Sequence, residues 1–321
     1  MATDKSLHLQ QVLETHRMAH IEKLLDKYKE KRQEVKEALE ENYKDKIYNP
    51  INSGSYAKST HINTKFDLDI VAPFKKKSFD SIEIMYNAVF DFLYEKYKDV
   101  AEVRKQKVSV GIIFFEDEDG DVIDIDVVPG RETSENNYME SKDLNIYFNE
   151  NTLGFGKGTY TKTNIQAQID HIKGKTNARE IIRLLKIWKN GNHPKDYKSF
   201  LFELVTIEAF NKEEITGNLW DKLKSVLEYI RDNVTKDNFI LKDPGNGNND
   251  VASTLSQIRR IILSDRMTNM INNIENNSDN IKTYFPINEE FEEEDENKGQ
   301  YGLKDASIVA PSIPNKSQQF G

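Results

Sequence analysis

The chain has 321 residues, no cysteine, 37% hydrophobic and 31% charged residues, and a formal net charge of −9. That length allows about two domains with sizeable cores, and the missing cysteines exclude disulfides and thiolate-bound zinc. Seven of the negative charges lie in EEFEEEDE at residues 289–296, so the remainder is close to neutral and lacks the basic excess of a protein that grips long nucleic acid. The opening MATDKSLHLQQ has no apolar core of a signal peptide, and no run of 18 apolar residues exists. A cytoplasmic protein with no membrane span is expected.

Residues 5–45 read as one long helix, with Leu9, Val12, Leu13, Ile21, Leu24, Leu25 and Tyr28 at helical spacing and many opposite charges between them. The apolar seam thins after Tyr28, which favours a helix lying across the body of a monomer over a coiled coil. Gly54-Ser55 then opens a short turn or helix. Residues 66–72 alternate: Phe66, Leu68 and Ile70 point one way, Asp67, Asp69 and Val71 the other, and Pro73 is expected to end the strand. Residues 78–97 form an amphipathic helix with Ser78 as its N-cap. Residues 107–116 and 122–128 are strand-like and are joined by a turn with Gly120 at a position that suits positive φ, so they make a hairpin in which Asp124 and Asp126 share a face. Residues 145–163 resemble a small irregular hairpin whose GFGKG is a turn rather than a phosphate loop. Helical spacing recurs over 164–172, 177–189, 198–210, 219–233 and 254–270, which makes the first half mixed α/β and the second half all-α. From residue 289 the chain reads as an acidic, disordered tail.

Three carboxylates embedded in otherwise apolar strands are costly unless cations offset them. A Gly-Ser turn, an Asp-x-Asp strand, a helix and a second acidic strand, in that order, are the parts of a metal-dependent nucleotidyl transferase. Transfer to an α-phosphate needs negative charge neutralised at the attacking and leaving oxygens, which two Mg²⁺ ions roughly 3.5–4 Å apart achieve. Hard cations take oxygen ligands, and two aspartates at i and i+2 on one strand face can serve both ions.

GSYAKST at 54–60, DLDIV at 67–71 and IDVVP at 125–129 resemble the core of the polymerase-β-type nucleotidyltransferase superfamily. REIIRLLKIWKN at 179–190, KSFLFELV at 198–205 and DPGNGNNDVA at 243–252 resemble the helical domain shared by oligoadenylate synthases, cyclic GMP-AMP synthase and bacterial CD-NTases. The resemblance covers residues 48–270 together with the long N-terminal helix. It implies an α+β chain in two lobes around a cleft: a spine helix at 1–46, a nucleotidyltransferase core at 47–163 and a helical nucleotide-binding domain at 164–288. It further implies that Asp67, Asp69 and Asp126 are catalytic and hold two Mg²⁺ (Mn²⁺ the alternative ion), with Asp124 the alternative third carboxylate. Gly54 and Ser55 would hold the triphosphate, Lys186 its β- and γ-phosphates, Ser199 would add a donor, and Phe200 would stack on the base. Among the branches, a bacterial CD-NTase fits best, making a cyclic di- or trinucleotide from ATP or other NTPs and releasing pyrophosphate, in anti-phage defence. The alternatives are an RNA nucleotidyltransferase, a linear oligoadenylate synthase and a non-catalytic nucleotide-binding module. The terminal SQQFG resembles a handle for ubiquitin-like conjugation at Gly321.

Overall fold

The computed structural model describes residues 2–149, 159–193 and 195–292. The sheet is the frame of the first half. Strands β1 (Ile51–Asn52), β2 (Ile70–Phe74), β3 (Ala101–Lys105), β4 (Val110–Phe114) and β5 (Asp124–Glu132) lie in the order β1-β2-β5-β4-β3, and β6 (Leu144–Phe148) and β7 (Thr159–Thr163) extend it from β5. Among the described residues only β2 and β5 run parallel, with Ile70 opposite Val127 and Phe74 opposite Arg131; the other pairs are antiparallel. Parallel neighbours need a crossover, and helix α4 (Ile82–Tyr97) lies within it, packing Met85, Tyr86, Val89 and Leu93 onto the sheet. Helix α2 (Glu22–Tyr43) adds Val35 and Leu39 to the same core. Two four-residue helices, α3 (Gly54–Ala57) and α5 (Tyr138–Ser141), occupy the connections.

The second core is helical. It is built from α7 (Thr176–Asn192), α8 (Ser199–Lys212), α9 (Leu219–Asn233), α10 (Gln257–Asn276) and α11 (Ile281–Tyr284), around Trp188, Phe202, Trp220 and Phe285. Helix α6 (Ile165–Ile172) links the two cores, started by an Asn164 side chain that caps Ala167 N–H. The first helix, α1 (Lys5–Thr15), belongs to this helical core through Leu9 and Val12.

The expected single helix over 5–45 is therefore two. It breaks at residues 16–21 because the chain changes cores there. The carbonyls of Thr15 and His16, which would accept from the next helical turn, are taken by Asn63 from the opposite loop, which also shares the Arg17 carbonyl with His20 N–H, and Arg17 is extended at ψ 142°. Other expectations shift as well. Strand β2 passes through Pro73 instead of ending there: the Pro73 carbonyl accepts from Tyr48 N–H at 2.8 Å, and its missing N–H is not called on. Residues 66–69 lead into β2 without belonging to it. Helix α4 is capped by Ser81, whose hydroxyl accepts from Ile84 N–H, while Ser78 donates to the Lys46 carbonyl. Strand β3 is an addition, and β4 occupies only part of the 107–116 segment. Gly120 has φ +85° in the β4–β5 turn, as its place demanded.

The second half is not wholly helical. Residues in DPGNGNNDVA form a two-stranded hairpin, β8 (Lys242–Asp243) with β9 (Asn246–Asp250). The arms of the 145–163 hairpin are β6 and β7, while its GFGKG lies outside the described residues. At the start of the expected tail, Glu289–Phe291 makes a short 3-10 turn, and Phe291 stacks on His20 with centroids 4.8 Å apart. Residues 293–321, Gly321 included, lie outside the described residues.

Candidate active site

The two cores meet around residues 54–69. Gly54 has φ +68°, a left-handed conformation that favours glycine. A Cβ added there would sit 1.5 Å from Asp69 Oδ2, so the Gly54 backbone lies directly against the Asp69 carboxylate. The Ser53 N–H donates to the Asp69 carbonyl at 2.9 Å and fixes this approach. The parallel pairing of Ile70 with Val127 then brings the Asp126 position of β5 level with Asp69.

Asp67, Asp69, Asp124 and Asp126 form one electrostatic group. Burial raises the Asp69 carboxyl well above the usual range, and the charges of Asp67 and Asp126 push it further. Burial likewise lifts Asp126 to about 7, reinforced by Asp124 and Asp67. Asp124 rises to about 6 by burial, against the pull of Arg104. Asp67 is raised by burial and is opposed most by Lys186 and Lys65. Asp126 is also held by hydrogen bonds: Gln106 Nε2 donates to its Oδ1 at 2.9 Å, and Ser109 Oγ donates to Gln106 Oε1 at 2.8 Å. The Tyr86 hydroxyl donates to the Gln106 and Ser109 carbonyls. Gly111 opposite makes room, since a Cβ there would meet Gln106 Nε2 at 2.4 Å. Asp124 Oδ1, by contrast, is buried without a hydrogen-bond partner.

The helical side of the site is more self-contained than expected. Lys186 Nζ donates to both the carbonyl and the hydroxyl of Thr60 at 2.8 Å, and burial lowers it to about 8. Ser199 Oγ accepts from Lys189 Nζ at 3.0 Å. Phe200 packs partly on the helical core, and Lys58 Nζ sits 4.9 Å from its ring centroid. Lys58 itself is paired with Glu203 at 2.9 Å, with side-chain exposures of 11% and 3%. Thus Gly54, Asp67, Asp69 and Asp126 come together, while the polar heads of Lys186 and Ser199 bond within the protein.

Sequence reasoning missed Lys58, Glu203, Thr60, Gln106 and Gly111. Lys58 lies inside the GSYAKST motif and carried a positional signal; Gln106 and Gly111 carried none. Among the described residues, the three-carboxylate group whose ligand atoms all lie within 4.8 Å is Asp117, Asp119 and Asp121 in the β4–β5 turn. That group is already engaged by Lys27 Nζ at 2.8, 2.6 and 2.6 Å. A cavity of about 350 Å³ between α2 and α4, lined by Glu41, Lys44 and Lys96, touches none of the site residues.

No sequence-family model matches the chain, and no curated protein matches it by sequence. Solved structures do match in fold. CdnC of E. coli MS115-1, solved with ATP, superposes with a TM-score of 0.67 at 18% identity, over 88% of this chain and 96% of that one. The CD-NTase CdnG of Bradyrhizobium diazoefficiens, solved with GTP, gives 0.66 at 13% identity, over 88% and 94%. The Vibrio cholerae cyclic AMP-GMP synthase DncV, in complex with a linear intermediate, gives 0.59 at 11% identity, over 74% and 68%.

Proposed function

We propose, taking as premise that this chain has the α+β nucleotidyltransferase fold of the bacterial CD-NTases, that it joins nucleoside triphosphates into a cyclic di- or trinucleotide with release of pyrophosphate. The observation that carries the reading is the Asp69 carboxylate set against the Gly54 backbone, with Asp67 and Asp126 near enough for their charges to raise it further. ATP-bound, GTP-bound and intermediate-bound neighbours of the same fold support nucleotides as substrates.

The donor set suits a hard divalent cation: it is all carboxylate oxygen, it is withdrawn from water, and it includes the partnerless Asp124 Oδ1 beside it. Asp67, Asp69 and Asp126 would hold Mg²⁺, which when bound supplies charge neutralisation at the α-phosphate. The protein's own groups do the rest. Backbone N–H groups at Gly54 and Ser55 and the Ser55 hydroxyl orient the triphosphate. Asp126, on the strand parallel to β2 and level with Asp69, is placed to accept the proton of the attacking hydroxyl. Lys58 brings a cation to the Asp67–Asp69 side of the site, where its charge lowers both carboxyls. Lys186 fixes the Thr60 end of the same loop and acts on phosphate only after leaving Thr60. We also assign the chain to anti-phage defence, with Gly321 as a conjugation handle; Gly321→Glu should then abolish conjugates in cells.

The reading is tested by incubating the purified protein with four labelled NTPs and Mg²⁺. Phosphatase-resistant products should form, and Asp67→Ala/Asp69→Ala should abolish them. No such product with wild-type protein, with or without added RNA, overturns the enzyme assignment.

A further inference from the structure

Two of the places where the chain passes between the cores lie side by side. One is the break at residues 16–21, between α1 in the helical core and α2 in the sheet core. The other is residues 62–68, where Ile62 belongs to the helical core and Leu68 to the sheet core. Asn63 joins them. Its N–H donates to the His16 carbonyl at 3.2 Å, and its Nδ2 donates to the carbonyls of Thr15 at 2.9 Å and Arg17 at 3.2 Å. One residue thus bonds to three successive carbonyls at and just beyond the end of α1, the Arg17 carbonyl also accepting from His20 N–H at 3.3 Å.

The C-terminal segment closes on the same point. Asn63 Oδ1 accepts from Asn288 Nδ2 at 3.4 Å, and Asn288 N–H donates to Thr15 Oγ1 at 3.0 Å. Three residues on, Phe291 covers His20 within the break, the rings 11° from parallel. Asn63 is also stiffly linked to the carboxylates. Lys65 N–H donates to the Ile62 carbonyl at 3.3 Å, and Ile62 and Lys65 form an isolated bridge. The chain from Asn63 to Asp67 is therefore a tight turn followed by two residues.

We propose that Asn63 is a positioning residue for Asp67 and Asp69, and that residues 288–291 act on the active site through it. The segment 288–291 holds the break, the break and segment together hold Asn63, and Asn63 sets where the segment carrying Asp67 and Asp69 begins. The consequence for catalysis rests on the nucleotidyltransferase reading above; the mechanical coupling does not. Whatever engages the chain just beyond Phe291 gains a route to the site that never touches substrate.

The test is a double-mutant cycle in the full-length protein, joining Asn63→Ala with Asn288→Ala/Phe291→Ala, whose side chains lie at the surface or half-buried. Asn63→Ala should lower kcat about tenfold with KM for NTP changed less than about twofold, because misplacement of reacting groups falls on kcat. The 288/291 pair should lower kcat about threefold in the wild type and not further in Asn63→Ala. Effects that multiply, or that fall on KM, overturn the proposal. Hydrogen exchange gives the second readout and needs no turnover: amides of residues 60–69 should exchange faster in Asn288→Ala/Phe291→Ala. Unchanged exchange there overturns the coupling even in a protein that makes product. Faster exchange in a protein that makes none upholds the coupling while the enzyme assignment falls.

Discussion

Gly54 shows how a single atom can set a site. Its φ of +68° and the 1.5 Å between an added Cβ and Asp69 Oδ2 leave an alanine no place. Gly54→Ala should displace the Asp69 carboxylate and cost about a hundredfold or more in turnover; steady-state kinetics checks it, with thermal melting showing that the fold persists. Lys189 offers a pH signature. Burial holds its ammonium down to about 8, whereas an unfolded lysine keeps its proton to about 10.4. Between those values the unfolded chain binds more protons, so this residue makes stability rise as pH rises. Lys189→Met should remove that rise, seen by comparing urea midpoints of both proteins at about pH 7.5 and about pH 9.5. At this scale the sequence was informative where charge sits among apolar neighbours, as at Asp67, Asp69 and Asp126. It was silent where a residue matters only through a distant partner. Gln106 reaches Asp126 from 20 positions away, and Thr60 meets Lys186 from 126 away.

Among the elements, periodicity identified every long helix described in the second half, although α8 is buried on all sides from Leu201 to Ile207. It failed where tertiary partners override local pattern. The 5–45 pattern continues through the break, since residues on both sides are buried, only in different cores. Asp243 illustrates another override. Its Oδ1 accepts from Gly245 N–H at 2.8 Å and Gln168 Nε2 at 2.9 Å, so an Asn/Gly-rich stretch with no strand signal becomes a hairpin docked on α6. The β4–β5 turn is tied to α2 by Lys27, whose ammonium touches three aspartates. Lys27→Met would leave Asp117, Asp119 and Asp121 repelling one another. It should lower the melting temperature, and the deficit should narrow at high salt, which screens both the lost attraction and the new repulsion; paired melts at low and high ionic strength check this.

For the whole molecule, the lobes are fastened at the site itself. Lys58 from the sheet side and Glu203 from α8 make a buried ion pair, and a buried pair is costly to halve. Glu203→Ala leaves Lys58 without its counter-charge and should destabilise the protein by about 3–5 kcal/mol, measured by chemical denaturation; a value under about 1 kcal/mol would mean that the pair is a surface-like contact. The two-lobed plan was legible because α/β and all-α patterns occupy separate halves. The exception is α1, which its position in the chain assigns to the spine and its packing to the helical lobe. Lys5 pairs with Glu275 at 3.0 Å, His8 Nε2 meets the Phe285 carbonyl at 2.8 Å, and Ser6 Oγ accepts from Leu219 N–H at 3.2 Å. That arrangement has a consequence in time. During synthesis the residues of α1 are made long before their partners on α10 and α11, an interval on the order of ten to fifty seconds at ordinary translation rates. The sheet lobe can form within that interval, but the helical lobe cannot close until α11 has been made. Leu9 and Val12 wait meanwhile for α7 and α9, the helices that α1 packs against most, so the apolar face of α1 stays uncovered until well after the sheet lobe has been made.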